Sequence, residues 1–123
     1  MVNHTRLTAS LEDYLKAIYF LHQADRTVRL VDIAERMSVS KPSVCHAVSQ
    51  LSNKGFIEHI KFGPVQLTAY GIEAAQSLVA KHETIKLFLM RMLNIGEALA
   101  CLEACAIEHT IHDITLNQMA SLM

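Results

Sequence analysis

No stretch of this sequence approaches the roughly 18 uninterrupted apolar residues that cross a bilayer. Its first ten residues, MVNHTRLTAS, lack the apolar core of a secretory signal. A cytoplasmic protein without a membrane partner is expected. Cysteine is scarce and odd in number: Cys45, Cys101 and Cys105 fall short of a disulfide scaffold, so they are expected as free thiols or metal ligands in a reducing compartment. Cys45 reads as a small packing residue. Proline occurs twice and glycine four times, and neither a low-complexity segment nor an internal repeat is present. An excess charge of either sign is also missing. The net charge is −1, which carries no global nucleic-acid signal. A Gly-rich phosphate loop and a nucleophile–base–orienter set are absent, so an enzyme is not expected. Apolar residues, by contrast, are abundant. They make up 51% of the 123 residues, with mean hydropathy +0.24. So apolar a small chain is expected to cover part of its surface with a partner, most simply a second copy.

The pattern along the chain is mainly helical. A first helix is predicted from about Leu11 to Gln23, with Ser10 as N-cap and Asp13 three residues on. Thr27-Val28-Arg29 fits a very short strand, and Leu30–Met37 a short helix. After the turn Ser38-Val39-Ser40, a third helix runs from Lys41 to about Asn53, with Ser40 as N-cap, Pro42 in the first turn and Gly55 just past the end. Phe56–Lys61 alternates as a strand, Phe62-Gly63-Pro64 turns and Val65-Gln66-Leu67 returns. Thr68 then caps a long helix, about Ala69 to Met92. Leu93-Asn94-Ile95-Gly96 breaks it, a fifth helix covers about Glu97 to Ile111, and a sixth begins near Asp113.

Helix, short helix, three-residue turn, third helix and hairpin, in that order, describe a winged helix-turn-helix. Its third helix enters the major groove of double-stranded DNA. Val44, Val48 and Leu51 form the inward stripe of that helix. Lys41, Pro42, Ser43, His46 and Gln50 are the candidate DNA-contacting set, small polar or basic side chains suited to phosphates and base edges. Lys61 on the hairpin, with Lys41 and Lys54, is a candidate for phosphate contacts.

Near the C-terminus, Cys105, Glu108 and His109 stand at i, i+3 and i+4, one face of a helix. A thiolate, a carboxylate and an imidazole converging there make a plausible divalent transition-metal site, whose remaining ligands must come from elsewhere. Cys101 and His112 extend that face by a turn each way and read first as packing residues. Glu108-His109-x-x-His112 resembles zinc-hydrolase spacing only loosely, since the Glu precedes the first His.

Several segments together resemble one family. They are Leu11-Glu12-Asp13-Tyr14-Leu15, Ser40-x-Pro42-Ser43-Val44, Leu67-Thr68-x-x-Gly71, Lys81-His82-Glu83 and Glu103-Ala104-Cys105-x-x-Glu108-His109. The chain is similar over nearly its whole length to the diphtheria toxin repressor and manganese transport regulator family of metal-dependent transcriptional repressors. The resemblance implies a winged helix-turn-helix DNA-binding domain at residues 1–75 and a helical dimerisation and metal-binding domain at 76–123. It implies a homodimer on operator DNA, and metal ligands Asp13, His82, Cys105, Glu108 and His109. Cys105 matches the iron-responsive branch and Asp13 the manganese branch. Lys16 stands where the manganese branch has a second carboxylate, and Lys86 where the iron branch has an acidic residue of its ancillary site. Since an ammonium repels a nearby cation, one principal ion per protomer is expected. The thiolate favours Fe²⁺, Co²⁺ or Zn²⁺ over Mn²⁺, and in a reducing cytosol Fe²⁺ is expected first, Mn²⁺ second and Zn²⁺ third. The competing reading is a metal-independent winged-helix regulator that senses oxidants or small molecules through Cys101 and Cys105.

Overall fold

A computed structural model describes residues 7–25, 27–60 and 63–123. Lys61 and Phe62, predicted at the hairpin, and the N-terminal His4 lie outside the described residues. Six helices and one two-stranded antiparallel sheet follow in the order α1 (Ala9–Asp25), α2 (Leu30–Met37), α3 (Lys41–Asn53), β1 (Ile57–His59), β2 (Val65–Leu67), α4 (Ala69–Leu93), α5 (Glu97–Ile107) and α6 (Asp113–Leu122) among the described residues. The chain divides into two compact units, Met1–Ala75 and Gln76–Met123, with the boundary inside α4.

In the first unit, α1 begins earlier than expected. Thr8, not Ser10, is the cap: the Leu11 N–H donates to Thr8 Oγ1 at 3.2 Å. Two cap-type residues lie two positions apart, and the one preceding the first helical turn takes the role. Leu11, Tyr14, Leu15, Ala17 and Ile18 form its buried stripe, and Ile33, Val44, Ala47, Val48 and Leu51 are buried from α2 and α3. Fully burying each large aliphatic side chain contributes about 1.5–3 kcal/mol. Ser38 takes a left-handed conformation (φ 55°) to end α2, and the Val39 N–H returns to the Ala34 carbonyl at 3.1 Å. This sets the tight turn between α2 and α3. Ser40 then caps α3 through the Ser43 N–H at 3.3 Å.

Gly55, at φ 86°, closes α3 in a Schellman arrangement: the Phe56 N–H bonds the Leu51 carbonyl at 3.0 Å, and the Gly55 N–H bonds that of Ser52 at 3.1 Å. In the hairpin Ile57 pairs with Leu67 and His59 with Val65. Val28 adds one isolated bridge to Val65, so the short strand expected at Thr27–Arg29 reduces to a single residue. Thr68 ties the start of α4 to this wing. Its Oγ1 accepts from the Gly71 N–H at 3.0 Å and faces the carbonyls of Gly55 (2.7 Å) and Phe56 (3.1 Å). Gly71 is needed here because a Cβ would collide with the Phe56 carbonyl oxygen. The Leu67-Thr68-x-x-Gly71 segment thus has a local physical role.

The second unit has a smaller core: Ile85, Leu89, Ala100 and Ala104, with Met90, Ile95, Ile107, Ile111, Leu116 and Met119 packed around it. Asn94 in a left-handed conformation (φ 57°) separates α4 from α5. The fifth helix ends at Ile107, four residues before the predicted end. Its apolar periodicity continues through Ile111, but the Thr110 and Ile111 N–H groups both bond the Ile107 carbonyl at 3.0 Å. That turn lets Ile107 and Ile111 pack on the same core as α6.

Candidate functional site

The exposed face of α3 carries Lys41, Pro42, Ser43, Cys45, His46, Ser49 and Asn53, with Gln50 half-buried. Opposite them Val44, Ala47, Val48 and Leu51 are buried. All five candidate contact residues therefore sit on the side of α3 turned away from its core. Cys45 is a correction. It was expected as packing, yet it is exposed, because Val44 and Ala47 occupy the inward direction on either side of it. The helical period alone carries that signal, since position 45 falls outside the 44–48–51 stripe. Ser40 and Ser43 hydroxyls lie 2.9 Å apart at the N-terminus of the helix, which keeps the Ser43 side chain engaged with the cap. Lys54 is half-buried just beyond the end of α3.

The second unit gathers the chemistry-bearing residues of the C-terminal half. Glu108 is 0% exposed, a fully buried carboxylate. His82 on α4 meets it, with Nδ1 2.8 Å from Glu108 Oε1. Donor atoms of His82, Cys105 and Glu108 all lie within 4.8 Å of one another. Metal–donor bonds of about 2.0–2.3 Å place donors on a shared ion up to roughly 4.6 Å apart, so small side-chain rotations bring all three onto one ion. A thiol, an imidazole and a carboxylate fit a first-row transition metal better than Ca²⁺ or Mg²⁺. Burying a carboxylate is costly unless opposite charge or hydrogen bonds compensate, and a cation held at this place would supply the charge.

His109 Nε2 lies 3.9 Å from Glu108 Oε2. Because α5 ends at Ile107, Cys105 is in the last helical turn, Glu108 is the C-cap and His109 lies in the following turn. The trio is therefore not presented by one uninterrupted helix. Glu108 retains helical dihedrals (φ −58°, ψ −26°), so its spacing from Cys105 remains helical. Asp13 belongs to the first unit. It is half-buried on α1 and lines an open cleft with Lys16, Ala17, Phe20, Arg36 and Met37.

Two residues read as packing prove to be otherwise. His112 is exposed and is the N-cap residue of α6. Cys101 is also exposed, and its Sγ lies 3.7 Å from His82 Nε2. The signal for Cys101 was its one-turn spacing from Cys105, but the contact with His82 depends on how α4 and α5 pack. Lys86, one turn after His82, bonds Glu97 Oε2 at 3.2 Å. That hydrogen bond, outweighing the opposing desolvation and helped by the charges nearby, raises its pKa above the ordinary 10.5.

A winged helix-turn-helix joined in one chain to a helical unit where an exposed thiol and a half-buried imidazole meet a buried carboxylate defines a narrow class. Residues 6–63 match the family described as iron dependent repressor, N-terminal DNA binding domain, and residues 68–123 match its metal binding and dimerisation domain. The chain belongs to the iron-dependent repressor family. It is 31% identical over 118 residues to an uncharacterised HTH-type transcriptional regulator of Methanocaldococcus jannaschii, covering 95% of this chain and 94% of that one. It is 32% identical over 116 residues to the HTH-type transcriptional regulator MntR of Lysinibacillus sphaericus, covering 94% of this chain and 83% of the relative. Among solved structures it is similar to the manganese regulator SloR, with TM-score 0.79 and 37% identity over 91% of this chain. The chain spans 52% of that structure's length.

Proposed function

We propose that this chain is a metal-dependent DNA-binding transcriptional repressor of metal homeostasis, a homodimer whose operator binding is promoted by a divalent metal ion. The observation that carries the reading is the fully buried Glu108, joined to His82 and within donor distance of Cys105, in a chain whose α3 presents a polar face. His82, Cys105, Glu108 and His109 would hold the ion, with Asp13 of the first unit as the further ligand. When bound, the ion supplies the positive charge that lets carboxylates and a thiolate share one place. Without it, bringing Asp13, Cys105 and Glu108 together is unfavourable. Lys41, Pro42, Ser43, His46 and Gln50 read and grip the operator. Metal and operator then tighten each other's binding reciprocally, typically 5–150-fold.

Leu99 and Leu102 on α5, Met92 and Leu93 on α4, and Ile114 and Leu122 on α6 are exposed apolar side chains of the second unit. They support a homodimer through that unit. In a two-fold dimer, paired recognition helices read half-sites about one DNA turn apart, roughly 34–36 Å. No helix among the described residues is long and apolar enough to cross a membrane.

For the ion, the Cys105 thiolate favours Fe²⁺ or Zn²⁺ over Mn²⁺, whereas the Asp13 carboxylate and the manganese regulators among the relatives favour Mn²⁺. Weighing the thiolate against the carboxylate and the manganese-regulator relatives, in a reducing cytoplasm, Fe²⁺ ranks first, Mn²⁺ second and Zn²⁺ third. The test is a metal-titrated gel shift on operator fragments selected from genomic DNA, with Fe²⁺ under anaerobic conditions, Mn²⁺, Zn²⁺ and a chelator as arms. Chelator should abolish specific binding, and readdition of the preferred ion should restore it. DNA binding indifferent to chelator would overturn the metal-dependent reading in favour of the metal-independent one.

A further inference from the structure

We propose that Cys101 is a positioning residue of the metal centre, whose sulfur holds the Nε2 edge of His82 so that Nδ1 faces Glu108. The inference rests on the metal-binding reading above. His82 has two ring nitrogens, and each has a named neighbour: Glu108 Oε1 at 2.8 Å from Nδ1 and Cys101 Sγ at 3.7 Å from Nε2. An imidazole that gives Nδ1 to a metal ion carries its proton on Nε2, and that N–H then donates to the sulfur. Metal-binding histidines generally use their second ring nitrogen in this way, to a carboxylate, carbonyl or water that fixes tautomer and ring orientation. Here the partner is a thiol. Cys101 and Cys105 stand one turn apart on α5, so a single helix brings both sulfurs near the ring.

The surroundings of Cys101 favour this role over direct ligation. Cys101 is not among the residues whose donor atoms converge with those of His82 and Glu108 among the described residues. The Lys86 ammonium, bonded to Glu97 at 3.2 Å, lies within electrostatic reach of the Cys101 sulfur. A divalent ion on that sulfur would meet the Lys86 ammonium, a positive charge offset in part by its Glu97 partner. A neutral N–H donor would not. Lys86 and Glu97 therefore reserve the Cys101 side of His82 for hydrogen bonding, leaving the Glu108 side for the ion.

The experiment uses the full chain, Co²⁺ as the probe and anaerobic, reducing conditions. Affinity is measured by titration, and the thiolate-to-Co²⁺ charge-transfer absorption is recorded per bound ion. Cys101→Ala is expected to weaken Co²⁺ binding by roughly 10–100-fold, the usual effect of losing such a partner. Cys101→Ser should recover most of that loss, because its Oγ accepts the same N–H. In both variants the charge-transfer intensity per bound ion should match the wild type, since Cys105 alone supplies the thiolate. Unchanged affinity in Cys101→Ala would overturn the proposal, as would equal weakening in the alanine and serine variants, which marks mere packing. A charge-transfer band reduced by about half in Cys101→Ser would overturn it in favour of a second thiolate ligand. Failure of the wild type to take up Co²⁺ would remove the metal-binding reading itself, an outcome distinct from normal uptake by the wild type and by Cys101→Ala.

Discussion

The two units of this chain solve the burial problem differently. The first fully encloses a set of large aliphatic side chains, Leu15, Ile18, Ile33, Val44 and Leu51, all 0% exposed, while Val31 and Ile60 stay at its surface. Its helices are tied by local devices, the Thr8 and Ser40 caps, the Gly55 end and the Thr68–Gly71 staple. The second unit surrounds a smaller core cluster of Ile85, Leu89, Ala100 and Ala104 among the described residues. It leaves Leu99, Leu102, Ile114 and Leu122 exposed while burying a carboxylate. A unit that exposes apolar groups and buries an acid is suited to completion by something else, and here a second copy and a cation fit. The first unit is held by its own core and caps, and the second is left to be completed.

Substitutions can break or sharpen this contrast. The largest effect is expected for Glu108→Gln. Metal affinity should fall beyond the roughly 10–100-fold typical of losing an outer partner, while the metal-free fold is unchanged or stabilised, because a buried charge is removed. Equal metal uptake by calorimetry would remove the carboxylate from the site. Asp13→Ala should raise the metal concentration needed for operator binding by up to the whole coupling, 5–150-fold. A gel shift with an unaltered metal requirement would exclude Asp13 as a ligand. Gly71→Ala tests the first unit. Its methyl meets the Phe56 carbonyl, so a loss of about 1–3 kcal/mol is expected from overpacking, seen as a lower thermal midpoint with metal uptake retained.

Gln50→Ala should cost operator affinity by about 1–3 kcal/mol where that side chain makes a bidentate base contact, with stability and metal binding unchanged. A fluorescence-anisotropy titration checks it, and a uniform loss across unrelated DNA sequences would demote Gln50 to a non-specific contact. Lys86→Met is the mildest. A raised folded-state pKa means that the Lys86–Glu97 contribution is fully present below 10.5, the unfolded value, and is lost as pH rises through the higher folded value. The pair is exposed, so a small effect is expected. The difference in denaturation midpoint between variant and wild type should vanish at strongly alkaline pH and persist near neutrality.

Legibility in the sequence followed the range of the interactions involved. The Ser40 cap, Pro42 and Gly55 bracket α3 (Lys41–Asn53) because cap chemistry acts within a few residues. Thr8 and Ser10 are equally good caps by type, and the packing of the Leu11, Tyr14 and Leu15 stripe accompanies the choice of Thr8. The end of α5 was hidden because Ile107 and Ile111 continue the apolar period, whereas the turn after Ile107 serves the core they share with α6. Cys45 was misread because residue type favoured burial, while the position of Val44 and Ala47 turned it outward.

The sequence by itself determined the helical elements, the winged order and the donor types available near the C-terminus, since periodicity, caps and ligand chemistry are properties of short segments. Tertiary structure decided which donors meet. His82 and Glu108 are separated by 26 positions yet stand 2.8 Å apart, and Cys101 reaches the other edge of the same ring. No local rule fixes such distances, because they depend on how α4 packs against α5 and on where the chain turns after Ile107.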